Sequence, residues 1–105
     1  MVNKNFTITR GNSLQFRINF VNAEVLPDEL YLTVKNTYND PSSIITLSLG
    51  HGIEKVVDAN SYEVYINATS TEFLEYLNYI YQITAVYSDE PDTIVEGKLI
   101  ITPEL

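Results

Sequence analysis

The tightest constraint in this sequence is an alternation with a period of two. Leu14, Phe16, Ile18 and Phe20 are apolar, while Ser13, Gln15, Arg17 and Asn19 between them are polar. Successive side chains of an extended strand point to opposite faces, so the pattern reads as a strand with one buried and one wet side. The same pattern recurs at Phe6 and Ile8, at Leu30, Leu32 and Val34, at Ile45, Leu47 and Leu49, and at Tyr62, Val64, Ile66 and Ala68. It returns in Tyr79, Tyr81, Ile83, Ala85 and Tyr87 and closes with Val95, Gly97, Leu99 and Ile101.

Turn chemistry separates these runs. Gly11-Asn12, Leu26-Pro27-Asp28, Asn39-Asp40-Pro41-Ser42, Gly50-His51-Gly52 and Asp89-Glu90-Pro91-Asp92 each combine residues that favour reversals. One segment breaks the rhythm. Thr69 with Glu72 three residues on is a capping-box pattern, and Phe73, Leu74 and Leu77 sit at helical spacing, predicting a short helix over about 70–76.

About seven or eight short antiparallel strands, spaced near ten residues, predict an all-β sandwich. A helical turn leading into a tyrosine-rich penultimate strand is similar to the corner between the fifth and sixth strands of immunoglobulin-like sandwiches. At 105 residues, the chain reads as one domain, 1–105, large enough for its own core.

Charge narrows the partners. Six basic residues against fourteen acidic ones leave a net charge of −8. Phosphate backbones and anionic membranes repel such a surface, so neither nucleic acid nor membrane is an expected partner. The opening Met1-Val2-Asn3-Lys4-Asn5-Phe6 enters a strand pattern at once. It lacks the apolar stretch of a signal peptide, so the chain is expected to act where it is made or to leave by lysis. With no cysteine, disulfides and thiolate chemistry are excluded.

Nor does the sequence set out catalytic equipment. Its one histidine, His51, lies between two glycines in a turn, where an exposed turn residue is the expected reading rather than a general base. Asp28, Glu29, Asp40, Asp58, Asp89, Glu90 and Asp92 fall in predicted loops, where acids serve solvation and turn formation. The Asp89 to Asp92 run lacks the ligand alternation of a dedicated calcium loop and reads as a hairpin tip. Asn5-Phe6-Thr7 and Asn67-Ala68-Thr69 match the glycosylation sequon and are read as accidental. No enzyme, cofactor or metal is expected.

Two features point instead to an interaction surface. The eight tyrosines include Tyr79 and Tyr81 on the predicted core face, whereas Tyr31, Tyr38, Tyr65 and Tyr76 fall opposite it or in loops. Amphipathic aromatics on a surface suit protein contacts or stacking on sugars. The penultimate strand also carries Ile80 and Val86 on its other face, and the last strand carries Ile94 and Ile100 on what the alternation makes its outer side. Strands apolar on both faces need cover, which a second subunit can supply. The candidate interface residues are therefore Tyr31, Tyr65, Ile80, Val86, Ile94 and Ile100.

Several segments also resemble a known family. Phe6-Thr7-Ile8-Thr9-Arg10-Gly11-Asn12-Ser13-Leu14-Gln15-Phe16 looks like the opening of small β-sandwich domains in structural proteins of phages and prophages. It is most similar to the N-terminal domain of upper baseplate proteins of tailed phages of Gram-positive bacteria. Gly50-His51-Gly52-Ile53, Tyr79-Ile80-Tyr81-Gln82-Ile83 and Glu96-Gly97-Lys98-Leu99-Ile100-Ile101-Thr102-Pro103 fit the same pattern in the same order. The resemblance implies a non-enzymatic virion component, made in the bacterial host cytoplasm. Such a component attaches through protein contacts in a homo-oligomer, often a trimer, on the tail, baseplate or head. A carbohydrate-binding or adhesion module using exposed tyrosines is the alternative expectation.

Overall fold

The computed structural model describes residues 2–20, 25–37, 42–57, 60–74 and 78–103. Nine strands and one helix are present among them: β1 (Val2–Asn3), β2 (Phe6–Thr9), β3 (Leu14–Asn19), β4 (Glu29–Lys35), β5 (Ile45–Leu49), β6 (Gly52–Lys55), β7 (Ser61–Ile66), α1 (Ala68–Glu72), β8 (Asn78–Tyr87) and β9 (Glu90–Thr102).

Hydrogen bonding orders the strands β1-β9-β8-β4-β5-β6-β7-β3, with β2 also on β9. The path bends at β5–β6, where Ser48 opposite Gly52 and Leu49 opposite Ile53 make the only pairs. It then folds back on itself, because Phe6 at one end stacks on Phe16 at the other, ring centroids 4.6 Å apart. The result is a two-layer sandwich with β1, β2, β9, β8, β4 and β5 in the larger layer and β6, β7 and β3 in the smaller.

The inward positions are those the alternation marked. Leu30, Leu32 and Val34 of β4, Tyr79, Tyr81, Ile83 and Ala85 of β8, and Leu99 and Ile101 of β9 meet Ile53, Tyr62, Val64 and Ile66 from the opposite layer, all buried. Each such aliphatic side chain contributes about 1.5–3 kcal/mol when removed from water.

Several expectations are corrected. The strands are not all antiparallel: β1 and β2 run parallel to β9, so the Gly11 turn is a corner between layers rather than a hairpin. The Gly50-His51-Gly52 turn likewise carries the chain from one layer to the other. The hairpin after β8 is tighter than expected. Ser88 and Asp89 alone form its tip, both at positive φ (48° and 67°), as in the turns whose twist matches that of paired strands. Glu90 and Asp92 therefore belong to β9, and Glu29 belongs to β4.

The helix begins earlier than the capping box predicted. Asn67, not Thr69, is its N-cap, accepting from the Ser70 amide at 2.8 Å, because asparagine satisfies that orphan donor as well as threonine would. The Arg10 Nε donates to the Glu72 carbonyl (2.9 Å), and the buried Thr71 hydroxyl donates to the Asn12 carbonyl (2.7 Å). These bonds tie α1 to the β2–β3 corner. The helix also ends earlier than expected: α1 stops at Glu72 with Phe73 as its C-cap, and Leu74 beyond it is buried in the core. Glu75 and Tyr76, together with Tyr38, Asp58 and the Asn39-Asp40-Pro41 turn, lie outside the described residues.

Candidate functional site

The outer face of the larger layer is built by residues that alternate with the core. In β4 these are Glu29, Tyr31, Thr33 and Lys35, and in β8 Ile80, Gln82, Thr84 and Val86. β9 adds Glu96, Lys98 and Ile100, opposite Gln82, Ile80 and Asn78. Across the face, Lys35, Ile80 and Lys98 form one row, and Thr33, Gln82 and Glu96 the next. Glu29, Val86 and Pro91 lie at the far end. Cations thus flank Ile80 while an acid flanks Val86.

Polar contacts on this face are local. The Tyr31 hydroxyl donates to Glu29 Oε2 at 2.6 Å, and this bond to the carboxylate raises the tyrosine's pKa. Gln82 Nε2 donates to Glu96 Oε2 at 3.5 Å. Among the described residues no element packs over the row, so Ile80, Val86 and Ile100 are screened only by their longer neighbours.

The structure therefore brings Tyr31, Ile80, Val86 and Ile100 together on one surface. It does not bring the other two. Tyr65 is 46% exposed but lies on β7 of the smaller layer, opposite Gln15, so the two tyrosines look outward from opposite sides. Ile94 is the second correction, because it packs against the core. The register shifts between Ile83 and Thr84, which oppose Val95 and Thr93, leaving Ile94 as an extra residue. A bulge of this kind resets the alternation, and strict period-two counting has no means of finding it.

His51 is exposed in its turn. Among the described residues no three His, Cys, Asp or Glu side chains converge as metal ligands, and no helix is long and apolar enough to cross a membrane. The two sequon asparagines have structural partners: Asn67 caps α1, and Asn5 Oδ1 accepts from the Lys98 amide at 2.9 Å. The smaller layer's outer surface holds the ion pair of Arg17 and Glu63 at 2.8 Å. The Arg17 bond, helped by Gln15, holds the Glu63 carboxyl below the usual carboxylate range.

Two layers, a first strand running parallel to the last, and strand β8 between β9 and β4 define an immunoglobulin-like β-sandwich. No family model and no curated protein sequence matches the chain, so this assignment rests on shape. A strand-swapped dimer of the immunoglobulin-like domain of mouse leukocyte-associated immunoglobulin-like receptor 1 matches with a TM-score of 0.58 at 12% identity. That match covers 93% of this chain and 88% of that one. A marsupial T cell receptor matches with a TM-score of 0.59 at 11% identity, covering 93% of this chain and 48% of the receptor chain. The extracellular domain of the mouse receptor, also a strand-swapped dimer, matches at 0.55 and 13% identity, over 93% of this chain and 87% of that one. Likeness at these identities shows the fold and nothing finer.

Proposed function

We propose that this chain is a non-enzymatic attachment or adaptor module that works by protein–protein contact, in an assembly of several copies. The observation that carries the reading is the outer face of the larger layer. Ile80, Val86 and Ile100 sit there among Tyr31, Lys35 and Lys98, with no further layer over them among the described residues. Apolar side chains spaced through a polar, mixed-charge surface are what a protein contact desolvates. Two of the structural neighbours are strand-swapped dimers, which supports association between copies of a sandwich of this shape.

The particle in which the module works is read as a bacteriophage or prophage virion, on the strength of the sequence resemblance alone. A trimer, the arrangement that resemblance favours, is part of the same proposal. The carbohydrate-binding alternative loses support, since Tyr31 and Tyr65 stand on opposite sides of the sandwich and cannot form one stacking platform.

Mass spectrometry of particles purified from the source strain tests the virion reading; absence of the chain from every preparation overturns it. The double variant Ile80→Glu with Val86→Glu tests the face. The expected result is a folded domain that no longer joins its assembly, and normal incorporation would count against this surface.

A further inference from the structure

The edge of the smaller layer carries a second inference. Among the described residues, β3 ends the strand order and pairs with β7 alone. The Phe20 amide donates to the Asn60 carbonyl at 2.8 Å, and the register runs unbroken from Leu14 opposite Ile66 to Asn19 opposite Ser61. Bonded pairs alternate along an antiparallel ladder. Leu14, Phe16 and Ile18 therefore bond to β7, and the backbone N–H and C=O groups of Gln15, Arg17 and Asn19 point away from it.

Side-chain burial at the same edge is incomplete. Leu14, Phe16 and Ile18 are only half-buried, although they form the cleanest apolar stripe in the sequence. An opening of about 190 Å³ lies between β3 and the first strands, lined by Phe6, Phe16, Ile18 and Val95. At its border, Val2 is 59% exposed. A strand edge whose backbone meets no partner among the described residues, with a half-covered apolar margin beside it, is a template for another strand.

We propose that the occupant is β3 of a second copy of this chain, paired antiparallel about a two-fold axis. This rests on the association between copies proposed above and adds to it a second, two-fold contact at the strand edge, beside the one on the outer face. Centring the pair on Arg17 would set two guanidinium groups opposite each other, which is unfavourable. Centring it on Phe16 sets Phe16 against its own counterpart, Leu14 against Ile18, and Gln15 against Arg17.

In that register the Phe16 pair is the non-bonded kind, where side chains come closest, and Gln15 and Arg17 exchange backbone hydrogen bonds. Arg17 also arrives beside a Gln15 whose side-chain amide donates to Glu63 at 3.2 Å. Each copy thus offers a cation and a carboxylate where the other offers the reverse. The edge is complementary to itself in charge on a molecule whose net −8 repels its own kind elsewhere.

Sedimentation velocity and amide hydrogen exchange on the whole chain, over a range of concentrations, test this. The expected result is a dimer at high concentration in which the Gln15, Arg17 and Asn19 amides gain protection and lose it on dilution. The Leu14, Phe16 and Ile18 amides stay protected throughout. Gln15→Pro removes an edge-facing N–H without touching a bond to β7 and should weaken the dimer about tenfold or more, whereas Gln15→Ala should not. Should Gln15→Pro fail to fold, the exchange pattern of the unaltered chain decides. A monomer at every concentration overturns the proposal. So does a dimer whose three edge amides exchange as fast as the monomer's; if that dimer dissociates in the Ile80→Glu, Val86→Glu variant, the outer-face reading stands.

Discussion

The Tyr81 hydroxyl donates to the Lys4 carbonyl at 2.6 Å, across 77 residues of sequence. Val2 opposes Val95 and Phe6 opposes Leu99, so β1 and β2 keep one register along β9. Between them the backbone bows inward at Lys4, whose carbonyl turns to Tyr81 while the Asn5 side chain takes the Lys98 amide. Burial of the ring pushes the Tyr81 pKa up to about 12. The hydroxyl thus pins the first strands to the core and reaches for no backbone group nearby in sequence.

Tyr81→Phe is expected to lower stability by about 1 kcal/mol, the usual net worth of such a bond, measured by urea unfolding near neutral pH. The pH dependence has a definite sign. A phenol whose folded pKa lies above its unfolded value of 10.0 contributes in full below that value. Its contribution is lost as pH rises toward 12. The wild-type chain should therefore lose stability through this alkaline window more steeply than Tyr81→Phe.

Gly97→Ala should dislodge the bow. A Cβ at Gly97 would overlap the Lys4 carbonyl, which is backbone and can yield only if the strand moves. Stability should fall by about 1–3 kcal/mol. The Lys4 amide, which donates to the Glu96 carbonyl at 3.0 Å, should lose its protection from hydrogen exchange while those of β4 keep theirs.

Ile94 and Ile100 share residue type and strand but should respond differently. Ile94→Ser removes a side chain packed on the core and should cost about 2 kcal/mol. Ile100→Ser alters the outer face and should cost about 1 kcal/mol or less. Equal midpoints in denaturant for the two variants would contradict the bulge between Ile83 and Thr84.

Asn67→Ala removes the acceptor for the Ser70 amide and should cost about 1 kcal/mol. Asn67→Asp should restore it. Thermal unfolding of the three chains checks the order, and a null effect of Asn67→Ala would return the cap to Thr69.

Local alternation was enough to mark most of the inward-facing residues. The alternation at Leu30, Leu32 and Val34 and at Tyr79, Tyr81 and Ile83 is a local property of extended backbone, so it survives into the fold unchanged. The outward placement of Tyr31, Ile80, Val86 and Ile100 follows from the same rule. The tertiary structure alone decided what local rules do not encode. Whether β2 turns back on β3 or crosses to β9 depends on which distant strand offers a free edge. Ile94 is inward because a bulge shifts one register, and Gly97 is a glycine because Lys4 approaches from the far end of the chain. That Tyr31 and Tyr65 face opposite ways depends on the layer each strand joins, and period-two patterning is blind to layer.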